Sequence, residues 1–205
     1  MLLESKLVKQ LRPTHNRRLR ASSAYCAWHL QDRQGAALRP QLMPAHSIEP
    51  GQAEALYGFF KSERAAKKAL LELAEEHGLC HALLGLQKID PGKPCFAAQV
   101  GLCKGACIGA QSARTHNARL IAALAPHKIA AWPHPGPVGV REGPQLHVFE
   151  RWRHLGTAQD EAELDELLIS NQAGAGIDVD VYKILRRLLP RCQPIALGRS
   201  ECARP

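Results

Sequence analysis

Residues 80–109 read CHALLGLQKIDPGKPCFAAQVGLCKGACIG. Four cysteines fall in this stretch, Cys80, Cys95, Cys103 and Cys107, spaced C-x14-C-x7-C-x3-C. Glycines at 85, 92, 101, 105 and 109 and prolines at 91 and 94 interrupt any long helix or strand, so the segment is expected to be mostly turns. Such a segment has little of its own to pack, and a shared inorganic centre would supply the missing folding free energy. Thiolates gathered in this way suit a closed four-sulfur site for iron or zinc better than a disulfide framework.

Spacing bears on which metal. Structural zinc sites usually draw their ligands from two short C-x2-4-C knuckles, and only Cys103 and Cys107 are that close. Four isolated thiolates in a glycine-rich wrap are more like iron–sulfur ligation, with a four-iron four-sulfur cluster expected and zinc as the alternative. Cys26, Cys192 and Cys202 have no partner at metal-ligand spacing and read as structural or incidental. His81, beside Cys80, and His116 are candidate ligands of a mixed zinc site, although neither has a spaced companion and a hydrogen-bonded or solvent-facing histidine is the better reading of each.

Outward from the cysteines, Ser62–His77 places Ala66, Ala69, Leu70, Leu73 and Ala74 at helical spacing, with Ser62 as N-cap and Gly78 as stop. A further helix is expected over Ser112–Ala125 and a strand over AYCAWHL, residues 24–30. Three strand-like runs follow, His127–Trp132, Val138–Glu142 and Leu146–Arg153, close enough together for an antiparallel meander. Thr157 with Asp160 resembles a capping box for a helix through Ile169. Asp178 and Asp180 precede a last helix, which Pro190 stops.

The 205 residues, 45% of them hydrophobic, suffice for one or two domains with a real core. No apolar run approaches the roughly 18 residues of a membrane span. The opening MLLESKLVKQLRP scatters charges among its apolar positions and does not read as a signal peptide, so a cytoplasmic location with reduced cysteines is expected. Lys plus Arg exceed Asp plus Glu by 27 to 19, and residues 1–20 hold Lys6, Lys9, Arg12, Arg17, Arg18 and Arg20 against Glu4 alone. Such a segment either attracts a polyanion, with nucleic acid the commonest candidate, or is a solvated surface helix. Leu3, Leu7, Val8 and Leu11 fit a short amphipathic helix, and Glu4 lies on its apolar face without a lysine one turn on. That carboxylate is either a structural group or a metal ligand. No Walker loop, dinucleotide fingerprint or Ser-His-Asp arrangement is present.

LLESKLVKQLRPTHNRRLR (residues 2–20) resembles the closing half of a GIY-YIG nuclease domain of the UvrC type, where a helix bearing an acidic metal ligand runs into a Pro-x-x-Asn motif. PCFAAQVGLCKGACIGAQSARTHNARL (94–120) resembles the cysteine-rich region that follows that domain in UvrC and its shorter homologue Cho. WPHPGPVGVRE, LHVFERWRHLGT and DVDVYKILRRLL are similar to the C-terminal region of a bacterial subfamily in which a proofreading-type exonuclease domain precedes a Cho-like part.

The resemblance implies a DNA repair endonuclease of the excision type. Glu4 would be the ligand of one catalytic Mg2+ or Mn2+ ion, and Asn16 would order the active site. Cys80, Cys95, Cys103 and Cys107 would hold the iron–sulfur cluster, and Lys6, Lys9, Arg17 and Arg18 would track DNA phosphates. DNA and other excision-repair proteins would be the partners, with no membrane involved. No GIY or YIG segment occurs in the 205 residues. Those strands would lie before Met1, so the expectation is the C-terminal portion of a longer protein, with little or no nuclease activity alone. The alternative is a non-catalytic iron–sulfur or zinc module that binds DNA or docks. The expected fold is α+β: a partial GIY-YIG subdomain (1–50), a helical cysteine-rich cluster-binding middle (51–125), a small C-terminal antiparallel sheet with helices (126–190) and a flexible tail (191–205).

Overall fold

The computed structural model describes residues 25–31, 37–48, 55–170, 176–191 and 195–197. The fold is α+β, with five helices and two antiparallel sheets among these residues, arranged in two compact units.

The first unit takes its described residues from 25–44 and 55–129. Strands β1 (Cys26–Gln31), β2 (Arg39–Pro44) and β3 (Leu56–Phe60) form a sheet in the order β2-β1-β3. Trp28 lies opposite both Leu42 and Tyr57, and its ring packs on Phe60 with centroids 4.3 Å apart. β3 was not anticipated from sequence. Gly58, in the left-handed region at φ +62°, interrupts the five-residue LYGFF strand, and the β1–β3 register shifts between Cys26 and Trp28. A bulge of this kind erases the alternation by which strands are recognised.

Helix α1 (Glu63–Glu76) begins where the Ser62 hydroxyl accepts the Ala65 N–H at 3.2 Å. It buries Ala66, Leu70, Leu73 and Ala74 and gives way at His77 and Gly78. A four-residue helix α2 (Phe96–Gln99) and helix α3 (Ala113–Leu124, capped by Ser112) complete the unit. Trp28, Tyr57, Leu70, Leu73, Leu79, Leu120 and Leu124 share one core. Burying side chains of this size stabilises by roughly 1.5–3 kcal/mol each, so the sheet and two helices form a fixed wall beside the cysteine segment.

The second unit contains 45–48 and the described residues from 130 onward. β4 (Val138–Glu142), β5 (Gln145–Glu150) and β6 (Arg153–Ala158) form a meander, followed by α4 (Glu161–Ser170) and α5 (Val179–Leu188). The strand expected over His127–Trp132 does not form. Pro126 begins a single 3-10 turn at Ala125–His127, and Pro133, Pro135 and Pro137 deny the following chain the donors a ladder needs. The third strand is instead Arg153–Ala158, which takes up Thr157. The capping box therefore sits three residues later. The Asp160 carboxylate accepts the Glu163 N–H at 2.9 Å, and Glu163 accepts the Gln159 N–H at 2.8 Å. Asp178 caps α5 by accepting from the N–H groups of Asp180 and Val181. Within the segment expected as a flexible tail, Ile195–Ala196 pairs with β4 at the edge of the sheet as β7, which is too short to leave a sequence signal.

The β5–β6 hairpin turns on Arg151 and Trp152, both with positive φ (50° and 64°), as a two-residue primed turn requires. Trp152 is held there because its indole N–H donates to the Ala130 carbonyl at 2.8 Å and its ring meets Trp132 and Tyr182 edge-on at 5.1 and 4.8 Å. Arg151 is exposed, and its side chain gains nothing comparable. Arg151→Gly is therefore expected to stabilise the protein by about 1 kcal/mol, read as a rise in melting temperature; an unchanged or lower value would show that the turn carries no strain at this residue.

Candidate metal centre

Each cysteine of the tetrad is delivered by a separate local device. Gly78, left-handed at φ +59°, reverses the chain after α1, and the Leu79 N–H closes on the Ala74 carbonyl at 2.8 Å. This brings Cys80 into the core at once. Cys95 is the extended residue before α2, and its carbonyl accepts from Ala98 and Gln99. The Gln87 side chain secures the same end by accepting the Phe96 N–H at 2.9 Å. Beyond α2, the N–H groups of Leu102 and Cys103 both donate to the Ala97 carbonyl, folding Cys103 back. Cys107 sits in a 3-10 turn, Ala106–Ile108, that starts from left-handed Gly105. A side chain at Gly105 would put its Cβ 2.8 Å from that of Ala110, besides requiring a strained φ of +75°.

The result is a convergence of four sulfurs. The Sγ atoms of Cys80, Cys95, Cys103 and Cys107 all lie within 4.8 Å of one another, with Cys80 and Cys95 3.9 Å apart. All four are free thiols, and three are buried. Backbone donors point at two of the sulfurs: the Cys95 N–H reaches Cys107 Sγ at 3.4 Å and the Gly105 N–H reaches Cys103 Sγ at 3.3 Å. Donors of this kind stabilise thiolates and tune metal–sulfur centres.

The electrostatics make the cluster ready for a cation. Burial pushes the Cys80 thiol up to about 12 and also raises Cys103. Burial acts on Cys95 in the same direction, but hydrogen bonds from the Ala98 N–H and the neighbouring thiols outweigh it and set Cys95 below the ordinary thiol value. Cys95 is thus the easier of these thiols to deprotonate, and a metal bound at the site would displace the protons that burial favours on Cys80 and Cys103. In a tetrahedral zinc site with Zn–S bonds of about 2.3 Å the sulfurs stand about 3.8 Å apart. The four residues can therefore hold a single ion as they stand, whereas a multi-iron cluster would need them to open outward around its own atoms.

Both histidines stand outside the sulfur set, but only His116 meets the hydrogen-bonded expectation: His81 is buried, and its Nε2 has no hydrogen-bond partner among the described residues. His116 is fully buried, and its Nε2 accepts the Cys80 N–H at 3.1 Å. Burial lowers its pKa, and a neutral ring protonated on Nδ1 leaves Nε2 as the acceptor this bond needs. His116→Ala would orphan a buried N–H beside a ligand and is expected to cost about 1–3 kcal/mol, with His116→Gln recovering part of it. Thermal melts of the two variants check this, and equal melting temperatures for Ala and wild type would refute the bond's role.

Three supports had no sequence signal. Arg119 donates to the carbonyls of His77 and Gly78 at the end of α1. The Asn117 Oδ1 accepts the Leu38 N–H at 2.8 Å, and Gln87 holds Phe96 as described. Of the N–H···S bonds, only that from Gly105 to Cys103 spans a local step, Cys-x-Gly at 103–105. Glu4, Asn16, Lys6, Lys9, Arg17 and Arg18, the nuclease and phosphate-binding residues expected from sequence, lie outside the described residues.

The family model for the UvrC/Cho excinuclease middle domain matches residues 25–126, the whole cysteine segment included, and that for the excinuclease Cho C-terminal domain matches residues 137–200. The chain belongs to the UvrC/Cho excinuclease family. Excinuclease cho of Escherichia coli strain K12 is 34% identical to it over 205 residues, and excinuclease cho of Salmonella typhimurium is 33% identical over the same length. Each alignment takes in 98% of this UvrC/Cho family chain but 65% of the relative. No solved structure matches it. The first unit of the fold corresponds closely in extent to the UvrC/Cho middle domain, and the sheet of β4–β7 falls within the Cho C-terminal match. No described helix is long and apolar enough to cross a membrane.

Proposed function

We propose that this chain serves in DNA repair as the cluster-bearing part of a UvrC/Cho-type nuclease that incises one strand of damaged DNA. The observation that carries the reading is the convergence of four sulfurs within 4.8 Å inside a segment matched by the UvrC/Cho middle domain. The centre is an iron–sulfur cluster. Its four ligands come one by one from different turns, and N–H groups of Cys95 and Gly105 point at the sulfurs, as iron–sulfur sites favour. Zinc is the second reading, favoured by the 3.9 Å separation of Cys80 and Cys95.

Glu4 holds the catalytic Mg2+ or Mn2+ ion and Asn16 orders the site, while Lys6, Lys9, Arg17 and Arg18 position the phosphate backbone. A hard cation suits this chemistry because it offsets the charge that develops on the phosphoryl oxygens. With no GIY or YIG tyrosine among them, the 205 residues bind DNA but do not incise it unaided, and they act in the cytoplasm with other excision-repair proteins. Visible absorption together with iron, sulfide and zinc analysis after anaerobic purification decides the metal. One equivalent of zinc with no iron would end the iron–sulfur assignment. Incubation with UV-damaged or branched DNA and Mg2+ or Mn2+ decides the rest: nicking by the wild type that is lost in Glu4→Gln would overturn the claim of inactivity, and failure to bind DNA would overturn the repair reading.

A further inference from the structure

The inward turn of the four cysteines leaves an unusual outer surface. Phe96 is 61% exposed, Val100 50%, Leu102 45% and Ile108 47%. A single exposed apolar side chain needs no explanation, but four within thirteen residues of a turn-rich segment form a patch. Local geometry puts them together. Phe96 and Val100 stand one turn apart, joined by the Val100 N–H to the Phe96 carbonyl at 3.1 Å, while Ala97 between them is fully buried. The Leu102 N–H bonds the Ala97 carbonyl at 2.7 Å, folding Leu102 back against the same short helix. Ile108 follows Cys107, whose sulfur accepts the N–H of Cys95, the residue before Phe96.

Cations flank the patch in sequence, although Glu75 and Glu76 line the hollow that Leu102 and Lys104 share. Lys93 and Lys104 are exposed on either side of α2. Between Asp90 and Glu142 the sequence contains no acidic residue. Asp90 itself pairs with Lys93 at 2.8 Å, but both side chains are largely exposed and the pair is exchangeable. Protein–protein interfaces are depleted of lysine. Apolar tips flanked by cations are instead the arrangement that meets nucleic acid, the cations on phosphates and the apolar groups against partly unstacked bases.

We propose that the outer face of the cysteine segment is a DNA-contact surface for locally opened DNA, with Phe96 and Val100 against unstacked bases and Lys93 and Lys104 on the flanking phosphates. This rests on the DNA-repair reading above. It adds that the metal centre's role is to present this face rigidly, and that the face prefers distorted to regular duplex.

The full chain, loaded with its metal, is titrated by fluorescence anisotropy against a labelled duplex containing an unpaired bubble and against the fully paired duplex of the same sequence. Wild type is expected to bind the bubble more tightly. Phe96→Ala is expected to weaken bubble binding about tenfold and to leave the paired duplex nearly unchanged, with Val100→Ser acting in the same direction. The Lys93→Gln, Lys104→Gln double variant is expected to reduce the log–log salt slope by about 1.5. Wild-type binding with Phe96→Ala and Val100→Ser both indifferent, or with an unchanged salt slope in the lysine variant, overturns this proposal and leaves the family reading standing. No binding of either DNA by the wild type sinks that reading as well. Metal content and melting temperature equal to wild type show that each variant is folded.

Discussion

Replacing Cys80 with serine is expected to strip the metal centre from the protein and melt residues 80–109. The segment's packing explains why. Its buried cluster consists of Cys80, Cys95, Ala97 and Cys103, a set in which three of four members are ligands. Little apolar area remains to hold the turns once the sulfurs lose their common partner. Metal binding at structural four-sulfur sites contributes on the order of 10 kcal/mol or more to folding, and losing one of four ligands forfeits a large part of that. Serine keeps the shape but offers an oxygen that binds these metals poorly. Cys26→Ser supplies the contrast, because Cys26 donates to the Phe60 carbonyl at 3.7 Å on the sheet and takes no part in the tetrad. Metal analysis and thermal melts of the two variants side by side are the measurement. Retention of a full complement of metal by Cys80→Ser would show that the sulfurs do not act as one site.

Trp28→Ala is expected to destabilise the first unit by about 3–5 kcal/mol, the range for emptying a large aromatic site in a core. Trp28 is 2% exposed, stacks at 4.3 Å on Phe60 and lies in the same cluster as Leu70, Leu73, Leu79, Leu120 and Leu124. Leu79 precedes Cys80, and Leu120 lies one turn beyond His116, so the cavity would loosen both supports of the first ligand. Urea unfolding should show a lower midpoint with an unchanged slope, and metal release should become faster in parallel. A loss under about 1 kcal/mol would mean that the sheet is not what positions the helices.

How far the sequence disclosed these features depended on whether each signal was local. α1 and α3 were legible because a serine cap, an apolar stripe at 3.6-residue spacing and a stop all lie within fifteen residues or so. The tetrad was legible as four thiols in a glycine-rich loop, and its convergence bears out that reading. β3 was hidden by Gly58, and the run at 127–132 misled because its apolar residues are followed by alternating prolines. The capping box was displaced because Thr157 and Asp160 each suit a cap, and only strand pairing with His147 shows that Thr157 belongs to β6. Arg119, Asn117 and Gln87 act on backbone groups nine to seventy-nine residues away, a separation at which no spacing rule operates.

The uneven spacing of the four ligands also sets an order of assembly. Cys103 and Cys107 enclose only three residues, Cys95 and Cys103 seven, and Cys80 and Cys95 fourteen. Chain-closure entropy rises with each interval, so an incoming ion is captured first by the 103–107 pair, then by Cys95, and last by Cys80. Since Cys80 adjoins the finished core, that final bond is the one that latches a preassembled chelate onto the folded body. A cell short of metal would then accumulate molecules whose core is complete but whose residues 80–109 hang open to proteases.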